Sequence, residues 1–195
     1  MLEPSIAFQN DQVLTYGHSH SILHCQQVGT LSLPSGELVE SDPLNDENGP
    51  DLVVAPGLYP VFVTTMSSRW GSPNLAFTAI RFTQTESVRW QLVHGRDQQG
   101  RPLGYTVESG MGSMMDRTTK DLLCNLPDQA EFLYGRADEG GLWVEAHIPE
   151  HQEANLFYFW TDDGGYPSYI GYDASGTIAC MVTDFFGMED EEVTL

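Results

Sequence analysis

The chain has 195 residues, of which 41% are hydrophobic and 11% aromatic, so it holds enough apolar surface to exclude a wholly disordered protein. Its 28 acidic residues against 8 basic ones leave a net charge of −20, which disfavours binding to nucleic acid or anionic membranes because both attract cations. No run of about 18 apolar residues occurs, so no helix is expected to cross a membrane. The length fits one domain over residues 1–195, with a core at about 28–186 and an acidic tail at 189–195.

Charge is unevenly distributed along the chain. Residues 1–68 carry 8 acidic residues and no Lys or Arg, and residues 137–195 carry 13 acidic residues and again no Lys or Arg. Residues 69–136 carry 7 acidic residues and all 8 basic ones. We expect the two segments without Lys or Arg to come together in space and form a negative surface that attracts a basic partner. The alternative is that the negative charge only keeps the protein soluble.

Strands are predicted for most segments between clusters of Gly, Pro, Asp and Asn. Residues 28–39 predict a hairpin with its turn at 34–37, and the polar stretch 40–55 predicts a loop. Residues 75–82 and 87–94 predict a second pair of strands. The further predicted strands are 57–65, 105–107, 142–148, 155–160 and 177–183, the last of them after a turn at 173–176.

Two short helices are predicted in the second half of the chain. Asp116 is placed to cap a helix over 117–124, with Pro127 just beyond its end, and a second helix is predicted at 128–134. Strands outnumber helices, so the predicted class is mainly β, with α+β as the alternative. We expect an antiparallel β-sandwich or a distorted barrel with one or two short helices.

A set of short motifs occurs in one order along the chain. They are TLSLPSGELV at 30–39, DPL at 42–44, PGLYPV at 56–61, AIRF at 79–82, RW at 89–90, GYTVESGMG at 104–112, Asp116, DGGYPSYIGYD at 163–173 and TDF at 183–185. This ordered set resembles an uncharacterised bacterial family, the domain of unknown function 4241, over about residues 29–186. The resemblance implies a bacterial origin and a shared fold, and it carries no established reaction.

Several polar and glycine residues of these motifs have predicted structural roles. Asp42 and Asp116 are expected to bond nearby backbone donors as turn or cap residues. Four glycines of the motifs are expected to be turn residues that need a positive φ or a close backbone approach: Gly36, Gly57, Gly110 and Gly171. Arg81 and Arg89 lie in predicted strands, and we expect them to pair with Asp or Glu inside the fold rather than bind phosphate.

Three cysteines lie far apart in the sequence. Cys25, Cys124 and Cys180 form no CxxC pair, so we expect reduced core thiols, which agrees with a cytoplasmic location. The first residues of the chain show no cationic start and no apolar stretch, so no secretory signal is expected.

Three histidines are grouped near the start of the chain. His18 and His20 would share one face of a strand, and His24 would extend that face. A metal site and histidines without a ligand both fit this spacing, and we expect no metal and no cofactor.

The best candidate for a functional surface combines carboxylates with tyrosines. Its predicted partner-binding residues are Asp162, Asp163, Tyr166, Tyr169, Tyr172 and Asp173. Tyrosine offers rigid contact area and aspartate offers charge, which suits a basic and partly apolar partner. An acidic turn followed by core tyrosines is the alternative reading of the same residues.

Enzyme motifs such as G-x-S-x-G or a P-loop do not occur in the sequence, and we expect a protein that is not an enzyme. The expected function is a cytoplasmic bacterial immunity-type protein that binds and neutralises a cognate, basic, antibacterial toxin through its acidic and aromatic surface. The alternative is an enzyme or carbohydrate-binding domain with a carboxylate-lined pocket on a β scaffold. A structural or regulatory β domain is a third possibility.

Overall fold

A computed structural model describes residues 3–16, 19–45, 51–68, 71–136, 141–188 and 193–194. These residues divide between two compact units. Unit 1 is formed by Met1–Gly29, Pro60–Gly104 and Tyr166–Leu195, and unit 2 by Thr30–Tyr59 and Tyr105–Gly165. Each unit is therefore assembled from separate stretches of sequence. The prediction of one domain over 1–195 stays a prediction.

Strands make up 53% of the described residues and helices 11%, which confirms the predicted mainly β class with short helices. A 3₁₀ helix covers Pro4–Phe8, and the α-helices are α1 (Arg117–Cys124) and α2 (Gln129–Tyr134). The strands are β1 (Val13–Tyr16), β2 (Ser19–Leu33), β3 (Glu37–Ser41), β4 (Asp51–Val53), β5 (Gly57–Ser68), β6 (Asn74–Arg81), β7 (Arg89–Leu92), β8 (Tyr105–Val107), β9 (Met111–Asp116), β10 (Trp143–Ile148), β11 (His151–Trp160), β12 (Gly164–Tyr166), β13 (Ser168–Tyr172), β14 (Ile178–Asp184) and β15 (Val193–Thr194).

The strands form two main sheets and a two-stranded one. The larger sheet has the order β15-β1-β2-β5-β6-β14-β13-β7, and the smaller one the order β10-β11-β9-β3-β4. Strands β12 and β8 form the third sheet. The described pairs, such as β13 with β14 and β10 with β11, run antiparallel. A sheet curled into an antiparallel half-barrel corresponds to the distorted barrel of the prediction.

Each unit has its own apolar core. In unit 1, strand and 3₁₀-helix residues such as Ala7, Phe77 and Val182 are fully buried together. In unit 2, residues from the smaller sheet pack with Leu123 of α1 and Leu133 of α2. Burying these side chains is the main favourable contribution to folding.

Both predicted helices are present. The side chain of Asp116 accepts a hydrogen bond from the Thr118 N–H and caps α1, as predicted. Asp128 accepts from the Glu131 N–H at the start of α2. Helix prediction succeeds here because a cap and an amphipathic pattern are signals contained within a few residues.

The predicted hairpin at 28–39 is wrong in its pairing. The turn is present, because the Gly36 N–H donates to the Leu33 carbonyl at 3.2 Å. However, β2 pairs in the larger sheet, whereas β3 pairs with β9 and β4 in the smaller sheet. The turn thus transfers the chain from one sheet to another.

The predicted pair at 75–82 and 87–94 is also wrong. Both segments contain strands of the larger sheet, β6 and β7, but β14 and β13 lie between them. Strand β7 pairs with β13, and β6 pairs with β5 and β14. The residue pattern indicated each strand but not its neighbour, because pairing is decided by contacts between distant segments.

Two other segments differ from the prediction. The stretch 40–55 contains the end of β3 and all of β4, so it is not a simple loop. Part of the predicted tail at 189–195 forms β15, which pairs with β1. Residues 46–50, 189–192 and 195 lie outside the described residues. Strands β1, β9, β12 and β13 and residues 19–27 of β2 were also not predicted.

The helices of the described residues are too short and too polar to span a bilayer.

The cysteines occupy three environments. Cys180 is buried, Cys25 is half-buried and Cys124 is exposed at the end of α1. The prediction of core thiols is therefore wrong for Cys124. Burial raises the pKa of the Cys180 and Cys25 thiols, so both are neutral near pH 7.

Candidate functional site

The predicted partner-binding residues are divided between the two units. Asp162 and Asp163 belong to unit 2 and are exposed in the turn that follows β11. The other four, from Tyr166 to Asp173, belong to unit 1. The role of the set in partner binding stays a prediction, and the environments of its members differ.

The three tyrosines of the set are held in different ways. Tyr169 is buried in the core of unit 1 and offers little surface to a partner. Tyr166 packs against the ring of Phe185, with centroids 4.6 Å apart. Tyr172 lies beneath the Arg89 guanidinium, whose Cζ is 3.9 Å from the ring centroid. Tyr169 fits the alternative interpretation, a core tyrosine.

Asp173 stabilises its own turn. Its carboxylate accepts hydrogen bonds from the Ser175 hydroxyl at 2.6 Å, the Thr177 N–H at 3.0 Å and the Thr85 hydroxyl at 3.0 Å. These bonds, the one from the Ser175 side chain first, lower the pKa of Asp173 below its usual value. The carboxylate is thus committed to the turn between β13 and β14.

A different set of residues forms an acidic and aromatic surface in unit 2. We call it the Trp160 patch and define it as Glu108, Tyr134, Trp160, Asp162 and Asp163. Glu108, Asp162 and Asp163 are exposed, Tyr134 is 44% exposed and Trp160 is half-buried. The patch retains the predicted aspartates and replaces the predicted tyrosines with two other aromatic residues.

Hydrogen bonds hold the segments of the Trp160 patch side by side. The Tyr134 hydroxyl donates to the Ser109 carbonyl at 2.9 Å, which fixes α2 against the residue that follows Glu108. The Thr161 N–H donates to the Gly110 carbonyl at 3.0 Å and continues the pairing of β9 with β11. The two segments that carry the carboxylates are therefore neighbours.

Aromatic contacts anchor Trp160. Its ring centroid lies 6.1 Å from that of Tyr134 and 5.8 Å from that of Tyr158. Tyr158 is fully buried, and its hydroxyl donates to the Leu133 carbonyl at 3.0 Å. Trp160 thus links the exposed Tyr134 to the core, which gives the patch a rigid aromatic centre.

The carboxylate of Asp42 fixes the loop that carries Glu108. It accepts hydrogen bonds from the N–H groups of Glu108 and Ser109, both at 2.8 Å, and from the Ser109 hydroxyl at 2.7 Å. It also accepts from the Leu44 N–H at 2.9 Å, the local turn bond that was predicted. Asp42 is 1% exposed and therefore supports the patch from within.

Unit 2 carries most of the negative charge of the protein. Its sequence contains 18 acidic residues against three basic ones, a net charge of −15, which leaves −5 for unit 1. Among the bases, Arg117 lies 3.7 Å from Glu37, and the Lys120 ammonium is buried and donates to the Asn45 carbonyl at 2.8 Å. The field around the Trp160 patch is therefore dominated by carboxylates.

Arg81 and Arg89 do not have the predicted carboxylate partners. Within the described residues, neither forms an ion pair with Asp or Glu. Arg81 lies over the rings of Phe8 and Phe62, with its Cζ 4.4 and 5.5 Å from the two centroids. Arginine stacks on aromatic faces because its guanidinium is planar and weakly hydrated.

The histidine group is only partly described. His18 lies outside the described residues, while His20 and His24 are exposed on β2. The Nδ1 of His20 is 3.1 Å from the Thr15 hydroxyl. In the described part of the chain, no group of three or more His, Cys, Asp or Glu residues is arranged to hold a metal ion.

Sequence reasoning missed Tyr134 and Trp160. Trp160 ends β11 two residues before Asp162, so its place beside the acidic turn was readable from the sequence. Tyr134 was not, because it reaches the patch only through α2 and its bond to Ser109.

Comparison with known protein families shows which family the chain belongs to. The model of a family described as protein of unknown function (DUF4241) matches residues 31–183. The chain belongs to this family. The match confirms the resemblance to this family that was found in the sequence, and it covers all five residues of the Trp160 patch. No curated protein and no solved structure matches the chain.

Proposed function

We propose that this DUF4241 protein is a binding protein that captures a basic protein partner through the Trp160 patch of unit 2. The observation that supports the proposal most directly is the patch itself, which combines the exposed Tyr134 and the half-buried Trp160 with three exposed carboxylates. Tryptophan and tyrosine are among the side chains that most often dominate binding energy at protein interfaces.

Charge and aromatic contacts have separate roles in this proposal. The net charge of −15 on unit 2 attracts a cationic partner from a distance and raises the association rate. Trp160 and Tyr134 then provide rigid apolar contact that slows dissociation. The hydrogen bonds of Asp42 and Tyr134 hold the patch in place before binding, which limits the entropy lost in the complex.

The proposed biological role is that of an immunity-type protein in the bacterial cytoplasm, which neutralises a cognate antibacterial toxin. Toxins that act on nucleic acid or nucleotides need basic clefts for their substrates, and an acidic surface complements such a cleft. Occupying the cleft would block the toxin without any chemistry performed by this chain. The alternative function needs a pocket with facing carboxylates, and one described cleft of unit 1 has a single carboxylate in its lining, Glu86.

The test is binding to the protein encoded by the gene adjacent to this one. The two purified proteins are titrated by calorimetry at about 0.05 M and about 0.5 M NaCl, and we expect Kd to rise at least tenfold at the higher salt because screening shortens the electrostatic range. Co-expression should also restore the growth of cells that produce the partner. No complex, or a complex insensitive to salt, would contradict the proposal.

A matched pair of charge reversals locates the surface. Asp163→Lys places a cation in the patch, whereas Glu153→Lys makes the same change near the start of β11, about 23 Å from Trp160 along the strand. We expect the first to raise Kd about tenfold and the second to change it by less than about threefold, since the separation exceeds the Debye length. Equal effects would show that net charge matters and the patch does not.

A further inference from the structure

A cleft of about 320 Å³ lies in unit 1, at the end of β6. Its lining includes Phe8, Arg81, Glu86, Ser87, Trp90 and Cys180. The cleft combines a cation, aromatic rings and hydroxyl groups, in contrast to the acidic Trp160 patch of unit 2.

Arg81 is one of the residues that line this cleft. The guanidinium carries five N–H groups. Within the described residues, none of them donates to a protein acceptor, and Arg81 has no carboxylate partner. Two other arginines are bonded: Arg96 donates to the Gly100 carbonyl at 2.9 Å, and Arg101 lies 2.8 Å from the Asp97 carboxylate. The exposed Arg89 has no such bond among the described residues and stacks on Tyr172. A half-buried arginine that has no acidic partner among the described residues indicates a place for an external anion.

Aromatic packing fixes the orientation of Arg81. The Phe8 and Phe62 rings meet edge to face, 5.5 Å apart, and the guanidinium lies over both. Stacking uses the faces of the guanidinium plane and leaves its edge available. That edge is the part that binds carboxylate or phosphate with two parallel hydrogen bonds.

Gly171 allows Trp90 and Ser87 to form one wall of the cleft. A Cβ at position 171 would overlap the Ser87 hydroxyl and lie 2.8 Å from both the Trp90 ring and the Cys180 sulfur. The Ser87 hydroxyl is 3.2 Å from that sulfur. Because burial keeps the thiol of Cys180 protonated, the wall adds no negative charge beside Arg81.

We infer that this cleft binds a small organic anion, in which a carboxylate or phosphate pairs with the Arg81 guanidinium and a flat apolar group lies against Trp90. The volume suits a ligand about the size of a substituted benzene or indole. Glu86 in the lining disfavours additional negative charge on the ligand, so a single anionic group is expected. The site belongs to unit 1 and is built around a cation, whereas the Trp160 patch belongs to unit 2 and carries carboxylates.

The experiment follows the tryptophan indole N–H signals of the ¹⁵N-labelled full chain by NMR. The probes are phenylacetate and phenyl phosphate, which separate a carboxylate from a phosphate, and 2-phenylethanol, which lacks the charge. We expect a saturable shift of one indole signal, assigned through Trp90→Phe, with at least one anion and at least about tenfold weaker binding of the alcohol.

Two arginine variants with the same charge change provide the control. Arg81→Gln should weaken anion binding at least about tenfold, and Arg89→Gln, which removes the arginine stacked on Tyr172 outside the cleft lining, should leave it within about twofold. If Arg81→Gln does not fold, Arg81→Lys keeps the charge without the planar fork and should weaken binding about threefold or more.

Three outcomes would overturn the inference. One is the absence of a saturable shift with either anion up to about 20 mM, a range that covers weak fragments. The second is equal binding of the neutral alcohol. The third is equal weakening by Arg81→Gln and Arg89→Gln, which would show a general effect of positive charge.

Discussion

Several aspartates of this protein hold loops in place by accepting hydrogen bonds from backbone N–H and hydroxyl groups. Asp116 accepts from the N–H and hydroxyl groups of both Ser35 and Thr118, and it is fully buried. Asp184 accepts from three successive backbone N–H groups at 186–188. Asp42 and Asp173 make comparable sets of bonds. These carboxylates are therefore part of the scaffold, and the role predicted for Asp173 in partner binding stays a prediction.

Removing the Asp42 carboxylate should destabilise the protein strongly. Asp42→Ala leaves the donors of Leu44, Glu108 and Ser109 without their acceptor, and we expect a loss of about 3–5 kcal/mol in the free energy of unfolding. Urea denaturation measures the effect. The control is Asp121→Ala, the same change at an exposed position of α1, which should stay within about 0.5 kcal/mol. A similar loss in both variants would contradict the role of Asp42.

Low pH should destabilise the folded protein in part by protonating Asp173, whose carboxylate holds the turn between β13 and β14. Its pKa is lower in the folded protein than in the unfolded chain, so the carboxylate stabilises the fold above about pH 4 and loses this contribution as pH falls through the folded pKa. Asp173→Asn and Ser175→Ala should both flatten the fall of the unfolding midpoint below about pH 4. Thermal denaturation between about pH 2 and pH 7 measures how the unfolding midpoint depends on pH. If this dependence is the same in both variants as in the unaltered protein, the prediction is wrong.

Strand β2 shows how one turn decides the arrangement of whole elements. It runs for 15 residues, and its end at Leu33 is followed by a turn that leads into β3 of the other sheet. Gly36 makes this turn possible, because its φ is +78° and a Cβ there would overlap the Val54 carbonyl oxygen. The Val54 N–H in turn donates to the Gly36 carbonyl at 2.8 Å.

Two glycine substitutions separate backbone strain from steric overlap. Gly36→Ala meets both a positive φ and the Val54 carbonyl, and we expect a loss of about 3 kcal/mol or more in unfolding free energy. Gly176→Ala has a similar φ of +85° but no atom within 4 Å of its Cβ, and should cost about 1–2 kcal/mol. Urea denaturation compares the two. Equal losses would show that the close approach at Gly36 has no energetic effect.

At the scale of the whole molecule, the negative charge of each unit does not come from one third of the sequence. The middle third contributes acidic residues to unit 2, such as Asp121 and Glu131, while the last third contributes Asp173 and Asp184 to unit 1. The expected convergence of the two segments without Lys or Arg stays a prediction. The charge of unit 2 is instead assembled from all parts of the chain.

The excess of negative charge should make stability depend on salt. With a net charge of −20, repulsion between carboxylates opposes folding, and added NaCl screens it. We expect the thermal midpoint to rise by several degrees between about 0.02 M and about 0.5 M NaCl at pH 7. Differential scanning calorimetry measures it. A midpoint that stays constant or falls would show that the fold has already neutralised its acidic residues in pairs.

The sequence by itself determined the mainly β class, both helices, most strand positions, the total charge and the family. These features depend on interactions within a few residues or on composition. Only the tertiary structure decided which strands pair, that Tyr169 is buried, that Tyr134 meets Trp160 and that Arg81 stacks on phenylalanine rings. The physical reason is distance along the chain. Asp42 was readable as a turn residue from its bond to Leu44, but its bonds to Glu108 and Ser109 span more than 60 residues and leave no local pattern.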